Sequence, residues 1–109
     1  MERGLAEARF AQTAHDWYTG ASQRADASRS APQLRADATG HVTATYRLVA
    51  PGFETELRPT GVDEAPYVGV VHYREWVYRC RDASADTCSV THASPRAALF
   101  RYRDGRWDY

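Results

Sequence analysis

The spacing of apolar residues changes along this chain and predicts a helix followed by strands. Over the first 20 positions, apolar side chains recur every three or four residues, as on one face of an amphipathic helix. The residues of this stripe are Ala6, Phe10, Ala14 and Trp17. From His41 onward, apolar and polar residues alternate with the period of two that is typical of a strand. The pattern predicts an α+β fold, with an N-terminal helix packed on a curved antiparallel sheet of about 4–6 strands.

Residues 21–40 are rich in Ala, Ser and Arg, and they contain almost no large apolar side chain. Twenty residues without secondary structure would be unusual inside a compact domain. Either the helix continues past Gly20 to about Arg29 and ends before Pro32, or it breaks at Gly20 and a short second helix follows. We divide the chain into a helical region (1–30), a linker (31–40) and an antiparallel sheet (41–109), all within a single domain.

Two alternating runs follow the linker, and the turn dipeptide Pro51-Gly52 separates them. The residues predicted to point inward are Val42, Ala44, Tyr46, Leu48, Phe53, Thr55 and Leu57. The residues predicted to point outward are Thr43, Thr45, Arg47, Glu54, Glu56 and Arg58. Both runs therefore indicate strands with one buried face.

The stretch PYVGVVHYREWVYRC, residues 66–80, has the composition of a strand but no consistently apolar face. One extra residue at Arg74–Glu75, a β-bulge, would resolve this conflict. The bulge would bring five large side chains to one face: Tyr67, Val71, Tyr73, Trp76 and Tyr78. We therefore interpret this stretch as a long bent strand.

The chain ends in a predicted hairpin. Asp104-Gly105 lies between two alternating runs, which is a strong signal for a two-residue type I′ turn. This turn would pair Tyr102 with Trp107 and Phe100 with Tyr109 on one face.

The two cysteines, Cys80 and Cys88, are separated by seven residues, most of them small and polar, between two predicted strands. A disulfide that clamps a hairpin fits this spacing, and free thiols are the alternative. Two thiolates alone would be too few to hold zinc. A disulfide implies an oxidising compartment, so we expect a periplasmic or secreted protein. Free cysteines would instead imply the cytoplasm. The N-terminus shows no signal peptide, so export would imply a signal that has been removed from this sequence.

Composition excludes several classes of protein. The net charge is zero, and all 14 basic residues are Arg. Lys, Asn and Ile are absent, which we attribute to a GC-rich bacterial genome. The charge balance argues against nucleic-acid binding, and no apolar run is long enough to span a membrane. No motif predicts a metal, a cofactor or a catalytic nucleophile.

The chain has 13 aromatic residues. This number predicts an aromatic core and, outside it, some aromatic side chains on the surface. Because one helix cannot cover a whole sheet, some aromatic side chains would remain exposed and could contact a protein partner or a second copy of the chain. The residues of this candidate binding surface are Tyr67, Tyr73, Trp76, Tyr78 and His92. The residues of a candidate pocket are His15, Asp16 and His72.

The order of a helix and then antiparallel strands resembles the cystatin-like and NTF2-like α+β rolls. The segment RPTGVDEAPYVGVVHY (58–73) is similar to a stretch in small exported bacterial domains, and FRYRDGRWDY (100–109) is similar to their terminal hairpin. The Gln-x-Val-x-Gly loop of cystatin inhibitors is absent, as is room for the extra helices of NTF2-like enzymes. The resemblance thus implies a fold and leaves the activity open.

We expect an exported binding or assembly domain without catalytic activity. An NTF2-like small-molecule carrier or enzyme, with a cavity between helix and sheet, is the alternative.

Overall fold

The structure, a computed structural model, describes residues 2–83 and 87–109. Its elements in chain order are α1 (Glu2–Ser30), β1 (Gln33–Ala36), β2 (Val42–Val49), β3 (Glu54–Pro59), β4 (Tyr67–Cys80), β5 (Cys88–Arg103) and β6 (Arg106–Asp108). The six strands form one sheet in the order β1-β2-β4-β5-β6, and β3 also pairs with β4. The predicted class is confirmed: the fold is α+β, with an N-terminal helix packed on an antiparallel sheet.

The helix is continuous from Glu2 to Ser30, so the first of the two predicted alternatives is correct. It ends just before Pro32, where the backbone N–H of Ala31 still donates to the carbonyl of Ser28. The region predicted as a linker contains the short strand β1, which pairs with β2. The Asp37 carboxylate accepts hydrogen bonds from Thr39 and His41 and so holds the turn between these strands. The hydrogen bond from the Thr39 hydroxyl is the main reason why the pKa of Asp37 is lowered.

The chain divides into two compact units. Unit 1 comprises residues 2–19, 52–73 and 96–109, and unit 2 comprises residues 20–51 and 74–95. Over the two described ranges, 2–83 and 87–109, no helix combines the length and the apolar character that a membrane crossing needs.

Unit 1 has an aromatic core centred on Phe10 of α1. The Phe10 ring lies 5.6 Å from that of Phe100 and 4.5 Å from that of Trp107. Around it pack Ala14, Val71, Ala98, Trp17, Phe53 and Tyr73. The indole Nε1 of Trp107 donates to the carbonyl of Ala6 at 3.0 Å and so joins the terminal hairpin to the helix. The predicted apolar stripe of the helix is confirmed, since its residues lie in this core.

The terminal hairpin has the predicted register. Tyr102 pairs with Trp107, and both turn residues, Asp104 and Gly105, have positive φ, as a type I′ turn requires. The rings of Phe100 and Tyr109 lie 5.0 Å apart, as the cross-strand pairing predicts. Hairpin and helix therefore bury the same set of aromatic rings.

Unit 2 has a second core, in which β2 and β4 pair directly. Tyr46 lies opposite Tyr78, and their rings stack 4.8 Å apart. The guanidinium of Arg29 lies over the Tyr46 ring, 5.7 Å from its centre. Cys80 is fully buried beside them and forms the predicted disulfide with Cys88. Next to the disulfide, the N–H of Arg81 donates to the carbonyl of Thr87, which fixes the pairing of these two residues.

The core residues of β4 have odd numbers in unit 1 and even numbers in unit 2. In unit 1, Val71 and Tyr73 lie in the core with Phe10 and Trp17. In unit 2, Tyr78 stacks on Tyr46, the ring over which Arg29 of the helix lies. The β-bulge at Arg74–Glu75 stays a prediction. The neighbouring strands are interrupted at the same place, since β2 ends at Val49 and β3 begins at Glu54.

Gly69 permits the close approach of α1 to β4, and its replacement tests this packing. Three ring carbons of Phe10 lie 2.5–2.8 Å from the position that a Cβ atom on Gly69 would occupy. We expect Gly69→Ala to lower the free energy of unfolding by about 2–3 kcal/mol, because the added methyl group overlaps the ring. Urea unfolding measures the difference, and adding Phe10→Leu to Gly69→Ala should cost less than the sum of the two single changes.

Gly4→Ala is the matched control. Nothing lies within 4 Å of its would-be Cβ, and alanine favours a helix. This change should leave the stability equal or slightly higher. An equal loss of stability in both variants would show that contact with Phe10 is not the cause.

Reduction of the disulfide tests its contribution to unit 2. Closing the small loop between Cys80 and Cys88 stabilises the folded chain by restricting the unfolded one, by about 2–3 kcal/mol. We expect the urea midpoint to fall on reduction by a matching amount, and the oxidised protein to resist alkylation until reductant is added. Alkylation of both thiols in the folded, unreduced protein would contradict the pairing.

Candidate functional site

Unit 2 has a polar groove on the face of the sheet that carries the outward residues of β2. Its volume is about 380 Å³. The residues that line it come from four strands: Gln33 and Arg35 (β1), Thr43, Thr45 and Arg47 (β2), Val77 and Arg79 (β4), and Thr91 and His92 (β5). We call this surface the arginine groove.

Strand register accounts for the groove. Gln33 lies opposite Thr45, and Thr45 lies opposite Arg79, so three polar side chains form a row across three strands. Side chains on directly opposite residues share a face of the sheet, at the spacing of adjacent strands. Arg47 pairs in the same way with Val77, whose buried side chain forms an apolar floor.

The arginine groove is lined by guanidinium groups and by threonine hydroxyls. Arg35, Arg47 and Arg79 are exposed, whereas Thr43 and Thr45 are half-buried. Thr91 donates its hydroxyl to the carbonyl of Val77 at 3.1 Å, which anchors β5 to β4 at this point. The groove therefore combines fixed strand positions with long cationic side chains that reach into solvent.

A second groove, of about 300 Å³, lies in unit 1 between α1 and β3. Arg3, Glu7, Phe10, Ala11, Thr55, Glu56 and Leu57 line it. Arg3 and Glu7 pair with each other at 3.1 Å, so their opposite charges are largely satisfied on the helix.

Glu56 is held by two neighbours. Arg58 Nη2 donates to its Oε1 at 2.9 Å, and His72 Nε2 lies 3.1 Å from the same oxygen. These two contacts, with the Arg58 bond the larger cause, lower the pKa of Glu56 to about 2. The arrangement keeps the carboxylate ionised, and an ionised carboxylate is an acceptor rather than an acid.

The candidate pocket residues lie on two elements, α1 and β4. His15 and Asp16 are neighbours on α1, 3.7 Å apart and each 68% exposed. His72 bonds Glu56 and pairs with Glu54, on the side of β4 opposite to Val71 and Tyr73, which face the helix. None of the three lines either groove described above.

The candidate binding surface is partly used in the two cores. Tyr67, Tyr73, Trp76 and Tyr78 are all half-buried. Tyr73 packs on Trp17, and Tyr67 lies beneath Arg3. His92 is exposed and lines the arginine groove, with its Nδ1 3.1 Å from the Thr91 hydroxyl. Sequence reasoning missed the groove itself, although the outward positions of Thr43, Thr45 and Arg47 were correctly predicted.

Two further observations concern buried side chains and possible metal ligands. The buried side chains of the described ranges are all apolar. Within the same ranges, no cluster of three or more His, Cys, Asp or Glu side chains could hold a metal ion.

Comparison of the chain with protein-family models, with curated proteins and with solved structures gives no match. The fold and the two grooves therefore stand on the geometry of this chain alone.

A pH titration tests the Glu56 cluster. Because folding lowers the pKa of Glu56, its contribution to stability is present above about pH 4.5 and is lost as the pH falls toward 2. We expect the stability difference between the unchanged protein and Glu56→Gln to shrink over that interval. Carboxyl NMR should show Glu56 titrating near pH 2, and Arg58→Gln should raise its pKa.

Glu54→Gln is the matched control, because it removes a carboxylate from the same strand without touching the contacts of Glu56 with Arg58 and His72. It should leave the titration of Glu56 close to that of the unchanged protein. A Glu56 that titrates in the ordinary range of an exposed glutamate would contradict the cluster.

Proposed function

We propose that this chain is an exported, non-catalytic domain that binds a protein partner through the arginine groove. One observation carries the proposal: four strands place exposed arginines and half-buried threonines around an open groove with an apolar floor. Interfaces combine apolar area with polar groups at fixed positions, and arginine is enriched in them.

The disulfide supports the export part of the proposal. Disulfides form and persist in oxidising compartments, and Cys80 and Cys88 are bonded in the structure. In a bacterium, the source expected from composition, the oxidising compartments are the periplasm and the outside of the cell.

The aromatic residues predicted as a contact surface would have a secondary role. Because Tyr67, Tyr73, Trp76 and Tyr78 are half-buried, each offers only part of its ring to a partner. Val77, at the base of the arginine groove, is more deeply buried still, so the exposed arginines would make most of the contact with a partner.

A small-molecule carrier is the second candidate, and the groove of unit 1 supports it. That groove has a volume of about 300 Å³ and is lined by both charged and apolar residues. Such a carrier would use Arg3 and Glu56 in place of the predicted His15, Asp16 and His72. The buried residues near Phe10 are apolar, which favours the protein-binding proposal over an enclosed catalytic site.

Site-specific photocrosslinking in the native bacterium tests the proposal. A photoreactive phenylalanine at Gln33, an exposed position of the arginine groove, should capture one defined protein. The same residue at Leu99, an exposed β-strand position in unit 1, should not capture it. The captured protein, once identified and purified, should bind the unchanged chain, and Thr45→Trp, which fills the groove, should weaken binding at least about tenfold.

Capture at Leu99 but not at Gln33 would contradict the assignment of the surface. A crosslinked product with twice the mass of the chain would identify the partner as a second copy.

A further inference from the structure

Basic side chains outnumber acidic ones among the described residues that line the arginine groove. None of its lining residues is acidic, and three are arginines. Arg47 lies 3.6 Å from Glu75. In the described ranges, no acidic side chain forms an ion pair with Arg35 or Arg79. The whole chain has zero net charge, so this excess is a local property of one face.

The positions of the groove residues favour a ligand with several acceptor atoms. Gln33, Thr45 and Arg79 lie in a row across three strands, and Arg35 and Arg47 lie on either side of that row. Adjacent strands are about 4.8 Å apart, so donors recur along the row at that interval. A ligand that offers acceptors along its length can therefore meet several donors at once.

We propose that the arginine groove binds a short acidic segment of the partner protein, with carboxylates paired to Arg35 and Arg79. This inference rests on the proposed function and adds the chemistry of the partner. A guanidinium can donate two parallel hydrogen bonds to a carboxylate, which makes such pairs stronger and more directional than those of lysine. The hydroxyl of Thr45 supplies a further donor, whereas that of Thr43 donates to the carbonyl of Arg35.

The lining residues favour an acidic protein over a nucleic acid. Sites for single-stranded nucleic acids combine a basic groove with aromatic rings on which bases stack. No Phe, Tyr or Trp is among the residues that line the arginine groove. Binding to a duplex depends on many phosphate contacts, and a chain of zero net charge is poorly suited to that.

Binding of a labelled peptide tests the proposal. The probe is a rhodamine-labelled peptide of ten glutamates, measured by fluorescence anisotropy at low salt, with a peptide of ten glutamines for comparison. The unchanged protein should bind the glutamate peptide and not the glutamine peptide. Arg35→Gln combined with Arg79→Gln should weaken binding about tenfold, and added salt should weaken it further.

Arg101→Gln combined with Arg106→Gln is the matched control. It removes the same charge from exposed positions of unit 1, outside the groove. It should change the affinity less than about threefold, because neither residue lines the groove and neither can form a direct pair with a ligand bound there. Circular dichroism and urea unfolding establish that all variants fold, since each changed residue is exposed.

Equal weakening in the two double variants would overturn the inference, because binding would then follow net charge alone. Tighter binding of a labelled oligothymidine, with the same dependence on Arg35 and Arg79, would overturn it in favour of a nucleic acid. If Thr45→Trp blocks the crosslinked partner while the Arg35/Arg79 variant binds it normally, the acidic chemistry is wrong and the protein-binding function stands. If neither variant affects the partner, both proposals fail.

Discussion

The alternation of side chains along β4 is the constraint on which both cores depend. Successive residues of a strand point to opposite faces, so a regular strand presents either its odd or its even residues to one side. Val71 and Tyr73 serve the core around Phe10, whereas Tyr78 and Cys80 serve the core around Tyr46. The residues of β4 that serve the core of unit 1 thus have odd numbers, and those that serve the core of unit 2 have even numbers.

The same alternation determines which residues are left for the other face of unit 2. Once Ala44, Tyr46, Tyr78 and Cys80 point into the core, Thr45, Arg47, Val77 and Arg79 must point away from it. The disulfide and the Thr91–Val77 hydrogen bond then hold β5 beside β4 at this point. The arginine groove is thus a consequence of strand register, and its side chains are fixed at their Cα positions while their charged ends stay mobile in water.

Sequence reasoning succeeded where the signal was local. The stripe of the helix, the Asp104-Gly105 hairpin and the cysteine pair each depend on residues close together in the chain. Gly69 was missed, because its role is set by the ring of Phe10, which lies far away in sequence. The arginine groove was missed for a related reason. Arg35 lay in a presumed linker, and its proximity to Thr43 follows only from the pairing of β1 with β2. His15 and His72 could not be placed relative to each other without knowing which face of β4 each residue occupies.

A GC-rich genome explains why the chain contains many arginines, but it does not explain where they lie. With 14 arginines and 14 acidic residues, a chain that distributed its charges evenly would pair most arginines with carboxylates. In unit 1, three arginines pair with carboxylates: Arg3 with Glu7, Arg58 with Glu56 and Arg103 with Asp108. In the arginine groove of unit 2, Arg47 pairs with Glu75, whereas Arg35 and Arg79 form no ion pair with an acidic side chain of the described residues. Mutational bias acts on each codon separately and is independent of strand register. The positions of Arg35 and Arg79 in the groove, without an ion pair among the described residues, are therefore the feature on which the proposed binding function rests.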